Sequence, residues 1–173
     1  MDEKQLLKDC LDGNRQAQKR LYDQFAGKMF ALCMRYARNQ QMAEDFLQEG
    51  FIRVFSKLDT FRGQGSFEGW IRTIMVNTSL ELLRKNDLLK KSLSISEAFE
   101  LPDQLELPAD RLNEQYLLSC IQSLPAGFRA VFNLYAIEGY THKEIGELLS
   151  ISEGTSKSQY ARAKAWLQQR ISN

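Results

Sequence analysis

Residues 141–170 read THKEIGELLSISEGTSKSQYARAKAWLQQR. Thr141 and Glu144 take the two places of a capping box, where the hydroxyl accepts the N3 amide and the glutamate reaches back to the N-cap. Ile145, Leu148 and Leu149 then line one face of a short helix. Ser150-Ile151-Ser152 leaves room for a tight turn with one apolar plug, and Ser152 caps a second helix expected from Glu153 to about Ile171. A short helix, a three-residue turn and a basic helix is the helix-turn-helix arrangement. After Glu153 the charged residues are Lys157, Arg162, Lys164 and Arg170, all basic. Such a stripe can track phosphates inside a protein of near-neutral charge.

Helical geometry divides the second helix into faces. At about 100° per residue, Ser156, Tyr160, Ala163 and Leu167 share one direction and are expected to face the core. Gly154, Ser158 and Ala161 lie opposite, small enough to let the helix sit deep in a groove. Lys157, Ser158 and Arg162 are then expected to reach DNA, with Thr155 and Gln159 at the edges. Arginine can read guanine and glutamine adenine, whereas lysine and serine more often hold phosphate. Amphipathic helix pairs with a basic outer face also occur in proteins that never touch DNA.

Upstream of this pair, Leu112, Leu117, Leu118, Ile121 and Leu124 recur at helical spacing. Pro125 is placed to open the next helix, which carries Phe128, Val131, Phe132 and Tyr135. Asn86 to Leu107 loses the periodicity, holds Pro102 with Pro108 just beyond it, and reads as a linker with one helical turn near Ile95–Phe99. Before it stand three long stripes. Ala17, Leu21, Phe25, Met29, Leu32 and Tyr36 follow a turn at Asp12-Gly13-Asn14. Ala43, Phe46, Leu47, Gly50, Phe51, Val54, Phe55 and Leu58 form the second. Phe67, Trp70, Ile71, Ile74, Met75, Thr78 and Leu82 form the third, behind Ser66 as N-cap, in a helix roughly 30 Å long. Trp70 reads as a core residue. The expected fold is all-α: helical domains at 1–86 and 111–173, the second a helix-turn-helix, joined by an acidic linker at 87–110.

Charge follows the same division. The whole chain carries +1, but the linker sets Lys90 and Lys91 against Asp87, Glu97, Glu100, Asp103, Glu106 and Asp110. Cys10, Cys33 and Cys120 are far apart and His142 is the only histidine, so neither a zinc site nor a disulfide framework is expected, and no metal or cofactor. Paired carboxylates such as Glu44-Asp45 have no partner base and no glycine-rich phosphate loop is present, which argues against an enzyme. The first residues lack the apolar run of a signal peptide and no stretch is long enough to cross a membrane, so a cytoplasmic protein is expected.

Leu124-Pro125, Arg129, Val131-Phe132, Leu134, Glu138-Gly139-Tyr140-Thr141, Glu144-Ile145, Leu149, Ser152, Gly154-Thr155, Lys157-Ser158 and Arg162-Ala163 resemble the C-terminal domain of bacterial sigma factors. The resemblance is to the small two-domain class, the extracytoplasmic-function sigma factors. Ala43-Glu44-Asp45-Phe46-Leu47-Gln48-Glu49-Gly50-Phe51 is similar to the segment that docks on the polymerase clamp helices, and Phe67, Trp70-Ile71, Val76-Asn77 and Arg84-Lys85 to the segment that opens and reads the −10 element.

The resemblance implies a subunit that binds core RNA polymerase, at its clamp helices and flap, and directs initiation at promoters. It implies polymerase contact through Glu44, Asp45, Gln48, Glu49 and Phe51, −10 contact through Gln64, Ser66, Phe67, Asn77, Arg84 and Lys85, and −35 contact through Thr155, Lys157, Ser158, Gln159 and Arg162. It also implies an anti-sigma partner, and a linker that threads near the RNA exit path, where its acids could mimic nascent RNA. In the loop Phe61–Phe67, two glycines permit tight turns while Gln64 and Ser66 can bond an exposed base edge, offsetting an unstacking cost of a few kcal/mol. Gly146 stands where the family commonly has alanine, at roughly 1 kcal/mol of helix propensity. Ser156 stands for a usual apolar residue and Gln159-Tyr160 for a usual Arg-Leu, which leaves the −35 preference open. The alternative is a free-standing regulator using the same helix pair on operator DNA without polymerase.

Overall fold

The computed structural model describes residues 2–86, 89 and 114–172, and among these residues there is no strand. Helix α1 (Glu3–Leu11) precedes the three helices read from the stripes: α2 (Arg15–Tyr36), α3 (Gln40–Ser56) and α4 (Phe67–Lys85). Side-chain caps set their starts. Asn14 accepts from the Gln16 and Ala17 amides at 3.0 and 3.1 Å, Asn39 from Met42 at 2.9 Å, and Ser66 from Gly69 at 3.1 Å. Each cap satisfies an amide that a helix start would otherwise leave without a partner. Leu21, Met29, Leu32, Tyr36, Val54, Ile71, Met75 and Leu83 are completely buried between the three helices. Gly50 makes the close approach of α3 to α4 possible, since the Met75 sulfur occupies the space a Cβ would need.

The C-terminal half comprises α5 (Glu114–Ser123), α6 (Ala126–Phe132), a π-helical turn (Asn133–Ile137), α7 (His142–Leu149) and α8 (Glu153–Ser172). Pro125 is the N-cap of α6 rather than its first helical residue. The stripe Phe128–Tyr135 runs into the π turn, closed by the Glu138 amide on the Asn133 carbonyl at 2.9 Å. Tyr116, Cys120, Ile121, Leu124, Phe128, Ala163, Trp166 and Leu167 form a core of their own. The acidic linker and its expected turn near Ile95–Phe99 lie outside the described residues, apart from Leu89.

The two halves also share a core. Ala126, Ala130, Val131, Leu134, Ile145 and Leu149 belong to the same buried cluster as the residues of α2 to α4. Polar groups accompany them. The Arg129 guanidinium, 3% exposed, donates to the Tyr36 carbonyl at 2.8 Å and the Leu124 carbonyl at 2.9 Å. Asn133 donates to the Arg35 carbonyl at 2.8 Å and Gln122 to the Met34 carbonyl at 3.0 Å. The Met34, Arg35 and Tyr36 carbonyls lie in the last turn of α2, whose orphan acceptors are therefore satisfied from the other half of the molecule. Burial, and Arg38 nearby, lower the Arg129 pKa to about 10, so the group still enters the interface charged at neutral pH.

Candidate nucleic-acid and partner surfaces

Helices α7 and α8 start on their expected N-caps, with only the Thr141 half of the capping box formed. Thr141 accepts from the Glu144 amide at 3.1 Å and Ser152 from the Thr155 amide at 3.0 Å. Ser150 takes the left-handed conformation at φ 57°, and the Ile151 amide returns to the Gly146 carbonyl at 3.0 Å. A Cβ on Gly146 would lie 2.7 Å from the Ile151 carbonyl oxygen, so the tight turn itself requires glycine. His142, in the first turn of α7, brings Nδ1 to 2.9 Å from the buried Ser156 hydroxyl of α8. Its ring stacks on Tyr135 at 4.1 Å, and Tyr160 lies 4.5 Å from Tyr135. Burial first, and Lys157 second, hold the imidazole below its ordinary pKa.

On α8, Gly154, Lys157, Ser158, Ala161 and Lys164 are exposed and Thr155 is half-buried. Arg162 is half-buried too, its guanidinium 5.0 Å over the Phe128 ring. Gln159 departs from expectation: it is 0% exposed, and neither end of its amide has a hydrogen-bond partner. It does not stand at the edge of a DNA face. The reason is that α8 packs on both α6 and α7, so its buried face takes in 156, 159, 163, 166 and 167, wider than one stripe. Tyr160, expected in the core, is only half-buried within the aromatic stack.

In the N-terminal half, Gly63 and Gly65 adopt φ of 70° and 79° and turn the loop ahead of α4. Gln64, Ser66, Asn77, Arg84 and Lys85 are exposed as expected. Ser66, Asn77 and Arg84 fall within about 20° of one line along α4, at 100° per residue. Thr73, also exposed, extends that line and is found only by stepping four residues back from Asn77. Arg84 is engaged, donating to the Leu148 carbonyl at 3.0 Å. Phe67 corrects the expectation of a DNA contact. It is 2% exposed, edge-on to Phe25 and Phe61 and stacked on Trp70 at 5.5 Å, because the first turn of α4 closes the aromatic end of the bundle.

Along α3, Glu44, Asp45 and Gln48 point outward. Beside them runs an open groove of about 460 Å³ lined by Tyr22, Leu47, Phe51, Ile52 and Phe55, with Glu44 and Gln48 at its rim. Ile52 is 56% exposed. Phe51 is 4% exposed and forms the floor, its ring 4.7 Å from Tyr22, so it supports this surface from beneath rather than standing on it. Glu49 is held by Arg53 at 3.3 Å, and Arg53 also pairs with Glu81 of α4 at 2.6 Å, which turns Glu49 toward the bundle. Sequence pattern found the acids but missed Tyr22, Ile52 and Phe55, whose meeting depends on α2 packing against α3. No group of three or more His, Cys, Asp or Glu among the described residues could hold a metal ion.

Residues 21–88 match the family model of Sigma-70 region 2, and residues 114–167 that of Sigma-70, region 4. The two matches cover most of the chain and divide where its architecture divides. The chain belongs to the extracytoplasmic-function sigma factors. It is 29% identical to the sigma factor SigW of Bacillus subtilis (strain 168) over 179 residues, covering 97% of this chain and 96% of that protein. It is 32% identical to the sigma factor SigE of Mycolicibacterium smegmatis over 151 residues, where it spans 85% of its own length and 58% of the relative's. Among solved structures, the sigma factor RpoE from Bartonella quintana, in complex with the anti-sigma factor NepR, shares its fold with a TM-score of 0.55 at 21% identity, covering 89% of this chain and 96% of that one. CnrH, in complex with the cytosolic domain of CnrY, does so with a TM-score of 0.51 at 22% identity, covering 96% and 95%. In this sigma factor, region 2 holds the groove and the polar line on α4, and region 4 holds the helix-turn-helix.

Proposed function

We propose that this sigma factor docks on core RNA polymerase through the groove between α2 and α3 and directs initiation at promoters whose −10 and −35 elements it reads with α4 and α8. The observation that carries this is the pairing, on one helix, of an outward acidic and amide row (Glu44, Asp45, Gln48) with an open apolar groove ending in exposed Ile52. A basic amphipathic partner helix fits both features at once: its cations meet the acids and its apolar side chains enter the groove. Of the residues expected at −10, Gln64, Ser66, Asn77 and Lys85 remain available, joined by Thr73, while Arg84 is exposed but held by the Leu148 carbonyl. At −35, Lys157 and Ser158 stand outward with Thr155 and Arg162 at their flanks, and Lys164 extends the basic line.

The chain acts by positioning polymerase and carries no catalytic step of its own. No described helix is long and apolar enough to cross a membrane, and the proposed setting is the cytoplasm. One structural relative is bound to the anti-sigma factor NepR and the other to the cytosolic domain of CnrY, and an anti-sigma partner is proposed here as well. A free-standing operator-binding regulator would leave the groove of α3 without a role. Asp45→Lys combined with Gln48→Lys is expected to abolish co-purification with bacterial core polymerase, while the isolated protein keeps its helical content. Undiminished binding by that variant would remove α3 as the docking site.

A further inference from the structure

The contacts between the two halves bear on how a sigma factor working as proposed above is kept silent, and the latch described here rests on that function. Glu138, just after the π-helical turn, has a side chain only 8% exposed. It is reached by two arginines of the other half: Arg35 of α2 at 3.4 Å and Arg72 of α4 at 3.0 Å. Around this triad lie the carbonyl contacts of Arg129, Asn133 and Gln122 with the last turn of α2. One residue proposed for −10 contact is also consumed. Arg84 donates to the carbonyl of Leu148, in the last turn of α7, where a cation meets the negative end of the helix.

Closed in this way, the chain is too small for its task. A compact chain of this length has a radius of gyration of about 16 Å, hence a diameter of roughly 40 Å. Elements centred on −10 and −35 lie about 25 base pairs apart, or roughly 85 Å at 3.4 Å per step. The packed form therefore cannot hold both elements of one promoter. The halves must separate, and the interface is built to allow it. Tyr36 Oη and Arg129 Nε are buried without hydrogen-bond partners, so the closed state leaves polar groups unsatisfied that solvent would satisfy on opening.

We propose that the contact between the halves is a self-inhibitory latch, with Glu138 clamped by Arg35 and Arg72 at its centre, which must open before the chain engages a promoter. Losing the Glu138 charge removes the shared anion between two arginines, and reversing it sets three cations against one another. Opening frees Arg84 from Leu148 and lets the two reading helices move apart.

Small-angle X-ray scattering of the full chain, with no polymerase present, tests closure directly. The wild type is expected at a radius of gyration of about 16 Å and Glu138→Lys above about 20 Å, with unchanged helical content by circular dichroism. Adding Arg72→Glu to Glu138→Lys supplies a new opposite-charge pair and should bring the radius back down. Should Glu138→Lys lose helix, Arg72→Glu alone, at the more exposed arginine, should open the wild-type chain in its place. An extended wild type, or equal radii for folded wild-type and variant chains, would overturn the latch. The inhibitory part is read with core polymerase on promoter DNA. The α3 groove is already open in the closed chain, so core binding itself should be unchanged. The open variant should form the promoter complex about five-fold faster than wild type. Opening in solution with no gain in that rate would also overturn it. If neither chain bound core polymerase while scattering still showed opening, the docking proposal would fail and the closure would stand.

Discussion

In the N-terminal bundle the buried polar side chains are Thr78 and Ser79, and each donates its hydroxyl to the carbonyl four residues back, at 2.7 and 2.8 Å. In the C-terminal half the buried polar residues are Arg129, Asn133, Ser156 and Gln159. Arg129 and Asn133 spend donors on the other half of the molecule, Ser156 meets His142, and Gln159 meets nothing. The first half thus meets its buried hydroxyls within α4, apart from Tyr36 Oη, which has no partner, and the last carbonyls of α2, which the second half meets. The second half is completed by something outside it. A helix set that leaves donors to be satisfied by a neighbour is suited to changing neighbours, whereas a largely self-satisfied bundle is suited to serving as a rigid platform.

The sharpest break of this contrast is a cavity in the platform. Phe67→Ala should cost about 3–5 kcal/mol in denaturant unfolding, since its ring is packed among Phe25, Phe61 and Trp70. A loss under about 1 kcal/mol would return Phe67 to the surface and to DNA. Gly146→Ala comes next, and here two effects differ in sign. Helix propensity alone predicts a gain of about 1 kcal/mol. The Ile151 carbonyl, 2.7 Å from the new Cβ, predicts a net loss of about 1–3 kcal/mol, readable as a lowered melting temperature.

Smaller effects sharpen the contrast on the C-terminal side. Gln159→Leu removes an amide with no partner and should leave stability unchanged or raise it by up to about 1 kcal/mol, with −35 DNA binding retained. Lost DNA binding at unchanged stability would instead put Gln159 on the reading face. The smallest effect is a pH dependence. The folded state holds His142 below its ordinary value of 6.5, so the unfolded chain binds the proton more readily. Stability is then fully present above about 6.5 and declines as the pH falls below it. Melting curves at pH 7.5 and 5.5 should differ in wild type, and differ less in His142→Asn.

Much of this was legible in the amino-acid order. The stripes of α2, α3 and α4 are long enough for periodicity to decide, and Ser66, Thr141 and Ser152 each announce a helix start through the amide they accept. Helix α1 was not legible, because it buries only Leu6 and Cys10, too short a pattern to register. The acids of the docking row were readable from one helix, but the groove beside them requires Tyr22 from another. Likewise Glu138 and Arg35 stand 103 residues apart, and no local pattern pairs them. Gln159 was misplaced because a wheel assumes one buried direction, while α8 has neighbours on two sides. Local rules recovered what a single helix decides, and tertiary contact decided the rest.

The most direct test of promoter-directed initiation is transcription in vitro with core polymerase from the same source, with and without this protein, on fragmented genomic DNA. The protein is expected to create start sites absent from core alone, sharing common −10 and −35 motifs, and Asp45→Lys with Gln48→Lys should remove them. Absence of protein-dependent starts, together with no association between the protein and core polymerase, would contradict the account.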